Sequence, residues 1–179
     1  MILTDTKIKQ LVKENQMINP FFEKKSKNVI SYGLGSYGYD IRLSEDFAYF
    51  GEPTPSIIDP KAFGDMKLRK FKASEVFIPA QDFILGMSTE YFKIPNNIMA
   101  ICLGKSTYAR CGVIVNVTPL EPGWEGRLVI EITNSGSLPV KVYANEGIAQ
   151  IIFFKCNACE KPYNGLYQNQ QTFGKSISP

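Results

Sequence analysis

Two groups of residues in the middle of the chain carry side chains suited to chemistry. The first spans residues 104–110 and offers the amides of a glycine turn, two hydroxyls, an ammonium and a guanidinium within seven residues. Grouped donors of this kind are typical of sites that bind phosphate. The second is Glu131, the one carboxylate of residues 127–133. Together they predict an anion-binding turn and an acid-base group about one β-arch apart.

The residues around Glu131 alternate in polarity as a half-buried strand does. The apolar face of this predicted strand carries Leu128, Ile130 and Ile132. Side chains at odd and even positions of a strand point to opposite faces. We therefore expect Glu131 to point away from the apolar face and into a cleft.

The chain of 179 residues contains no histidine. This excludes Ser-His-Asp and Cys-His catalysis, imidazole-bound metals and the signature of zinc-dependent nucleobase deaminases. Acid-base chemistry must then fall to Glu, Asp, Lys, Tyr or Cys. Four cysteines do not make a disulfide framework in a chain of this size. Cys156 and Cys159 have the spacing of half a zinc site, but no second pair completes it, so no metal ligands are assigned.

Length, charge and hydropathy narrow the class of protein. With 44% hydrophobic residues, positions 1–179 are expected to form a single domain around one core. The formal charge of +3 favours a small polyanionic ligand over a nucleic-acid polymer. No apolar run approaches the roughly 20 residues that span a bilayer, and the first residues lack a signal-peptide pattern. A cytoplasmic protein with no membrane partner is expected.

Local patterns predict one helix followed by many short strands. Thr4 and Asp5 are suitable caps for a helix over residues 5–14. Strands are predicted at residues 39–43, 47–50, 76–78, 83–87, 98–103, 113–117, 128–133, 140–143 and 149–154. Short strands bounded by Gly, Pro, Asn or Asp indicate a sandwich or a distorted barrel. From about residue 160 to 179 the sequence loses any period, which predicts a disordered tail or a lid.

Three stretches of the sequence resemble the dCTP deaminase family, and they are residues 36–43 (SYGYDIRL), 104–134 (GKSTYARCGVIVNVTPLEPGWEGRLVIEITN) and 143–150 (YANEGIAQ). The resemblance runs from the first helix to the Tyr-Gln-Asn-Gln tail. It implies a mainly β fold, a distorted, dUTPase-like barrel of jelly-roll type with a short N-terminal helix and few other helical turns. It also implies a homotrimer with its active sites at subunit interfaces.

The implied reaction is hydrolytic removal of the amine of dCTP, giving ammonia and dUTP for thymidylate synthesis. The resemblance implies no catalytic metal, with Mg²⁺ as the counter-ion of the bound triphosphate. The implied catalytic residues are Ser106, Arg110, Pro119 and Glu131. Ser106 and the Pro119 carbonyl would position the attacking water, and Arg110 would lie beside the reacting end of the base. Glu131 would carry protons.

The resemblance further implies a set of substrate-binding residues, which are Lys105, Ser106, Thr107, Tyr108, Ala109, Arg110, Val129, Ile130, Glu131, Gln150, Tyr163 and Gln170. Residues 105–110 would hold the triphosphate and line the base pocket. The backbone at Val129 and Ile130 would read the pyrimidine edge. Tyr163 and Gln170 would act from the tail. One departure concerns the phosphates, because Leu166 stands where many members carry a Lys before the tail tyrosine.

Two alternatives remain open on the sequence. Some relatives also hydrolyse the triphosphate and release dUMP and pyrophosphate, and Glu121 lies where such enzymes carry an Asp. The second alternative is a non-catalytic nucleotide-binding trimer. The Pro122-Gly123-Trp124 stretch is as well explained by a turn with a core tryptophan as by a ligand contact.

Overall fold

A barrel-like antiparallel β-sheet dominates the fold, seen in a computed structural model that describes residues 1–23, 27–51, 57–61 and 68–174. The elements in chain order are α1 (Asp5–Asn15), β1 (Ile18–Asn19), β2 (Gly33–Leu34), β3 (Tyr39–Phe50), β4 (Leu68–Lys72), β5 (Glu75–Ile78), β6 (Phe83–Lys93), β7 (Ile98–Gly104), α2 (Ser106–Ala109), β8 (Val113–Asn116), β9 (Glu125–Asn134), β10 (Val140–Tyr143) and β11 (Gly147–Lys155). No helix in these ranges is long and apolar enough to cross a membrane.

The main sheet runs in the order β7-β11-β3-β6-β9-β8, with β1 on β6 and both β2 and β4 on β3. Strands β10 and β5 form a separate ribbon. The two ends of the main sheet approach each other, because a Cβ added to Gly104 of β7 would lie 3.6 Å from the Cβ of Val115 of β8. The sheet therefore nearly closes on itself. The prediction of a mainly β, distorted barrel with few helices is confirmed.

The interior of the barrel is filled by alternate residues of its long strands. In β9 the buried side chains are those of Leu128, Ile130 and Ile132, and the residues between them are half-buried. Because alternate side chains of a strand point to opposite faces, Glu131 lies on the outer face of the barrel. The prediction that Glu131 points away from the apolar face is confirmed.

The predicted helix and strands agree with the observed ones, except that two strands are considerably longer than predicted and three short strands were not predicted. Helix α1 ends where Gln16 adopts a left-handed conformation with φ of 54°. The predicted strands 47–50 and 39–43 are one strand, β3, and the strand predicted at 83–87 continues to Lys93 past a bulge. Strands β1, β2 and β4 were not predicted, since two have only two residues and Arg69, Lys70 and Lys72 make β4 polar.

A charged cluster ties together strands β3, β4 and β9. The Asp46 carboxylate accepts hydrogen bonds from Lys72 at 2.6 Å and from Arg127 at 3.1 Å. The Lys72 bond is the main reason that the pKa of Asp46 lies below its usual value; the Arg127 bond acts in the same direction, and burial opposes both. The cluster thus favours the ionised form of Asp46 in the folded state.

The stabilisation by Asp46 should disappear in acid. A carboxyl group whose pKa is lowered by folding contributes stability above its unfolded pKa of about 3.9, and this is lost as the pH falls through the folded value. We expect Asp46→Asn to be about 1 kcal/mol less stable than wild type at pH 7. Urea unfolding from pH 7 to pH 2.5, at fixed protein concentration, should show the two proteins converging. A gap that stays constant with pH would contradict the assignment.

Candidate active site

The Glu131 carboxylate is held by two neighbours on the outer face of the barrel. Asn116 of β8, its cross-strand partner, donates its side-chain amide to Oε2 at 3.2 Å. The Thr133 hydroxyl donates to Oε1 at 2.9 Å. Both oxygens therefore accept a hydrogen bond, which fixes the orientation of the carboxylate. The half-buried position leaves the group accessible from the outer face.

The backbone edge of β9 opens next to Glu131. On the side away from β6, β8 pairs with residues 131–134, and the Arg127 amide donates to the Gln170 carbonyl at 2.8 Å. Backbone groups of successive strand residues point alternately to the two sides, so the N–H and C=O of Val129 face this edge between the two covered stretches. The backbone N–H of Val129 can therefore donate to a ligand in the adjoining cleft, and its C=O can accept from it.

The cleft beside this edge has a volume of about 530 Å³. Four of the predicted site residues line it, and they are Pro119, Val129, Tyr163 and Gln170. Its walls also include apolar side chains, namely Leu85, Val117, Leu120, Trp124, Leu128 and Phe173. A largely apolar cleft with a few polar groups at its edge is the usual form of a small-molecule site.

The last described segment, residues 160–174, covers this cleft, and we call it the tail. The Tyr163 amide donates to the Pro122 carbonyl at 2.8 Å, and the Tyr163 hydroxyl accepts from the Tyr167 amide at 3.2 Å. Leu166 is exposed. Residues 160–174 are therefore hydrogen-bonded to the chain beside the cleft, and their action as a lid stays a prediction; residues 175–179 of the predicted tail lie outside the described residues.

The predicted phosphate turn lies at the other side of β8, where β7 ends. Residues 106–109 form a single helical turn, and the exposed Arg110 closes it by donating from its backbone and from Nη1 to the Ser106 carbonyl. Ser106, Thr107 and Ala109 are exposed as well. These residues present hydroxyls and a guanidinium to the outside of the chain.

Two side chains of the turn are withdrawn from solvent. The Lys105 ammonium forms an ion pair with Asp40 at 2.6 Å, and both side chains are almost completely buried. Tyr108 is buried in the core, where its hydroxyl accepts from the Tyr143 amide at 3.1 Å and burial raises its pKa to about 12. In this chain the charge that the turn presents to a ligand is therefore that of Arg110.

The predicted site residues fall into separate groups on one chain. Glu131, Val129, Pro119, Tyr163 and Gln170 lie at the cleft or beside it. A second cleft, of about 570 Å³, is lined by three residues of the turn together with the 136–143 region, and those three are Thr107, Tyr108 and Arg110. The structure thus does not bring the turn and the carboxylate into one cleft of the single chain.

The two remaining predicted residues lie away from both clefts. Ile130 is fully buried, and its backbone faces Gly86 of β6, since the neighbouring Leu128 amide donates to Ser88 on that side. Gln150 of β11 is half-buried opposite Asp40, with its side chain 3.6 Å from where a Cβ on Gly38 would lie. Gln150 is therefore closer to the turn and its Lys105–Asp40 pair than to Glu131.

Sequence patterns did not identify Asn116 and Thr133 as the partners of Glu131. Thr133 is two residues from Glu131 on the same strand face, so strand periodicity alone was a usable signal. Asn116 is 15 residues away and reaches Glu131 only through the β8–β9 register. Within the described ranges no cluster of three or more His, Cys, Asp or Glu is placed to hold a metal ion.

Comparison with known proteins identifies the family and the fold of the chain. The chain is 50% identical over 171 residues to a dCTP deaminase of Campylobacter jejuni, covering 93% of this chain and 92% of that one. The solved dCTP deaminase of Agrobacterium tumefaciens shares the fold with a TM-score of 0.62 at 17% identity, covering 85% of this chain and 47% of that one. The solved dUTPase of Staphylococcus bacteriophage 80alpha gives 0.50 at 14% identity, covering 80% and 94%. The model of the dCTP deaminase-like family matches residues 2–156, and the chain belongs to that family.

Proposed function

We propose that this chain is a hydrolase that converts dCTP and water into dUTP and ammonia. The observation that carries the proposal is the Glu131 carboxylate, held by Asn116 and Thr133 beside the open backbone edge at Val129. The relatives at about half identity are named for the same activity. The cytosol, which holds free deoxynucleotides, is the proposed place of action.

The proposed chemistry uses Glu131 to move protons. Water adds to C4 of cytosine and gives a proton to the carboxylate, which passes it to N3. The carboxylate then takes the proton of the new C4 hydroxyl and gives it to the amine; the C4–N bond breaks, ammonia leaves and C4 becomes a carbonyl. A single carboxylate close to all three atoms can carry out these transfers, and general acid-base catalysis of this kind contributes roughly a hundred- to ten-thousand-fold.

The other groups hold the reactants. Ser106 and the Pro119 carbonyl would position the water, and Arg110 would lie next to the reacting end of the base. The N–H and C=O of Val129 would meet the hydrogen-bonding edge of the pyrimidine, where a pair of backbone groups discriminates between bases. The proposed chemistry needs no metal, and Mg²⁺ would enter with the triphosphate, held by phosphate oxygens and water.

A homotrimer with sites shared between subunits accounts for the separation of the turn from Glu131. Apolar side chains are exposed on the outer faces of the strands that flank the turn, and they are Ile101 and Leu103 of β7 and Ile114 of β8. A second copy covering this surface would bury them and approach the turn. We propose that the turn of one subunit completes the cleft of its neighbour.

The activity is tested by adding dCTP and Mg²⁺ and measuring ammonia. The proposal predicts that ammonia appears and that anion-exchange chromatography shows dUTP in equal amount. Release of dUMP and pyrophosphate would instead support the bifunctional alternative, which draws on Glu121 lining the same cleft. Nucleotide binding without any ammonia would support the non-catalytic trimer and would contradict the proposal.

The hydrogen bond from Thr133 to Glu131 should contribute to turnover. Thr133→Val keeps the side-chain shape and removes the hydroxyl that donates to Oε1 at 2.9 Å. We expect kcat to fall about three- to tenfold while KM for dCTP stays unchanged, because a hydrogen bond to a charged group contributes on the order of 1.5 kcal/mol and this one is made with the enzyme's own carboxylate. Steady-state kinetics check this; Thr107→Val provides a matched substitution on the turn, where KM is expected to rise instead.

A further inference from the structure

Residues 122–127, which we call the docking strip, bind the tail along their whole length. Backbone bonds join the two segments at three points: Tyr163 N–H to Pro122 C=O at 2.8 Å, Asn169 N–H to Glu125 C=O at 2.9 Å, and Arg127 N–H to Gln170 C=O at 2.8 Å. The tail thus lies against the strip as an added strand would, although most of it has no strand geometry.

Two side chains join the same segments between these points. The Trp124 indole N–H donates to the Tyr167 carbonyl at 3.0 Å. The Gln168 amide spans the strip, with Nε2 donating to the Gly123 carbonyl at 2.9 Å and Oε1 accepting from the Glu125 amide at 3.2 Å. One side chain on each segment therefore holds the backbone of the other.

The glycines of the strip permit this close approach. A Cβ on Gly123 would lie 2.6 Å from the Pro162 Cβ, and a Cβ on Gly126 would lie 2.9 Å from the Gln170 amide nitrogen. A Cβ essentially never lies this close to a non-bonded heavy atom, so a larger residue at either position would displace the tail. Both glycines also have positive φ, 84° at Gly123 and 154° at Gly126, which L side chains rarely adopt.

We infer that Trp124 and Gln168 are positioning residues that hold the tail on the docking strip, and thereby place Tyr163 and Gln170 at the cleft before substrate binds. We call these two side chains and their bonds the latch. This inference rests on the proposed function for its kinetic consequence only. Leu166 supplies no charge with which a bound phosphate could draw the tail closed. In this chain the closed position is instead built from contacts between protein groups.

The effect on KM depends on whether the tail is ordered before or during substrate binding. When the tail is already docked, substrate binding does not have to order it, and the affinity is correspondingly higher. When the latch is broken, the same closed complex forms at a lower population. KM should therefore rise, whereas kcat, measured once the complex has formed, should change little.

The test compares Trp124→Phe and Gln168→Leu with wild type in two measurements. Trp124→Phe keeps an aromatic ring and removes the N–H, and Gln168→Leu removes both bonds of the amide while leaving Trp124 intact. Chymotrypsin, without ligand, should cleave at Tyr163, Leu166 or Tyr167 about tenfold faster in both variants. KM for dCTP should rise about five- to tenfold, with kcat within about twofold of wild type.

Gln171→Leu is the matched control, because it is the same substitution in an exposed side chain three residues further along the tail. It should match wild type in both measurements. Cleavage of the two latch variants at the wild-type rate would overturn the inference, as would a fall in kcat with KM unchanged. If wild type released no ammonia from dCTP, the proposed function would fail, while the cleavage rates would still decide whether the latch exists.

Discussion

Glu131→Gln is expected to lower turnover of dCTP by about a hundred- to ten-thousand-fold while leaving dCTP binding within a few-fold of wild type. The substitution keeps the size of the side chain and an oxygen to accept from Asn116 or Thr133, but it removes the carboxylate that we propose takes protons from water. Binding can be followed through Trp124, the only tryptophan of the chain, which lines the cleft.

A matched substitution separates a specific role from a general effect on the cleft. Glu121→Gln makes the same change in another carboxylate that lines the cleft, and ammonia release should stay near the wild-type rate. Single-turnover measurements on both variants distinguish chemistry from product release. If Glu131→Gln bound dCTP normally and deaminated it at a rate close to wild type, Glu131 would not be the proton carrier.

The largest effect on stability is expected at the buried pair of Arg42 and Glu90. Glu90 is fully buried and accepts from the Arg42 backbone amide at 2.9 Å and from Arg42 Nε at 2.8 Å. The guanidinium lies over the rings of both Phe22 and Tyr32, at 4.3 and 4.9 Å from their centroids. Among the described residues, Arg42 Nη2 has no hydrogen-bond partner, so the pair with Glu90 is the main compensation of this buried charge.

Breaking this pair on one side should destabilise the protein by about 3–5 kcal/mol, because a buried charge loses its partner. We expect this for Glu90→Gln and for Arg42→Met, measured by guanidinium unfolding at fixed protein concentration. The double substitution Arg42→Met with Glu90→Met should cost less than the sum of the single ones, since it leaves no buried charge. Lys9→Met, which breaks the exposed pair with Glu23, is the control and should cost less than about 1 kcal/mol. Equal losses at the buried and exposed pairs would contradict the assignment.

Local patterns were sufficient for most of the longer strands and for the side of β9 on which Glu131 lies. Leu128, Ile130 and Ile132 share one face of a short segment whose other face carries Arg127, Val129, Glu131 and Thr133, and burial of the first face follows from this. The short helix and the many strands were predicted from signals of the same range. These signals decide which side chains face the core, and so they located the candidate carboxylate.

Local sequence patterns could not predict contacts between residues that lie far apart in the chain. Lys105 looked like a free phosphate ligand, but it pairs with Asp40, 65 residues earlier, through the neighbouring positions of β7, β11 and β3. The Pro-Gly-Trp turn could be assigned as structural or as ligand-binding, and its function of docking the tail depends on residues more than 40 positions later. Register and docking of this kind are set by the whole fold.

The proposal that each active site is shared between two subunits is tested most directly by combining two inactive variants in one trimer. Glu131→Gln lacks the carboxylate, and Arg110→Ala lacks the guanidinium of the turn; each is expected to be almost inactive alone. When the two are co-expressed with different tags and purified through both, a mixed trimer contains one site with both groups intact if each site is shared between neighbours. If sites are shared, the mixed trimers should release ammonia at roughly one third of the wild-type rate. Mixed trimers no more active than the separate variants would contradict it.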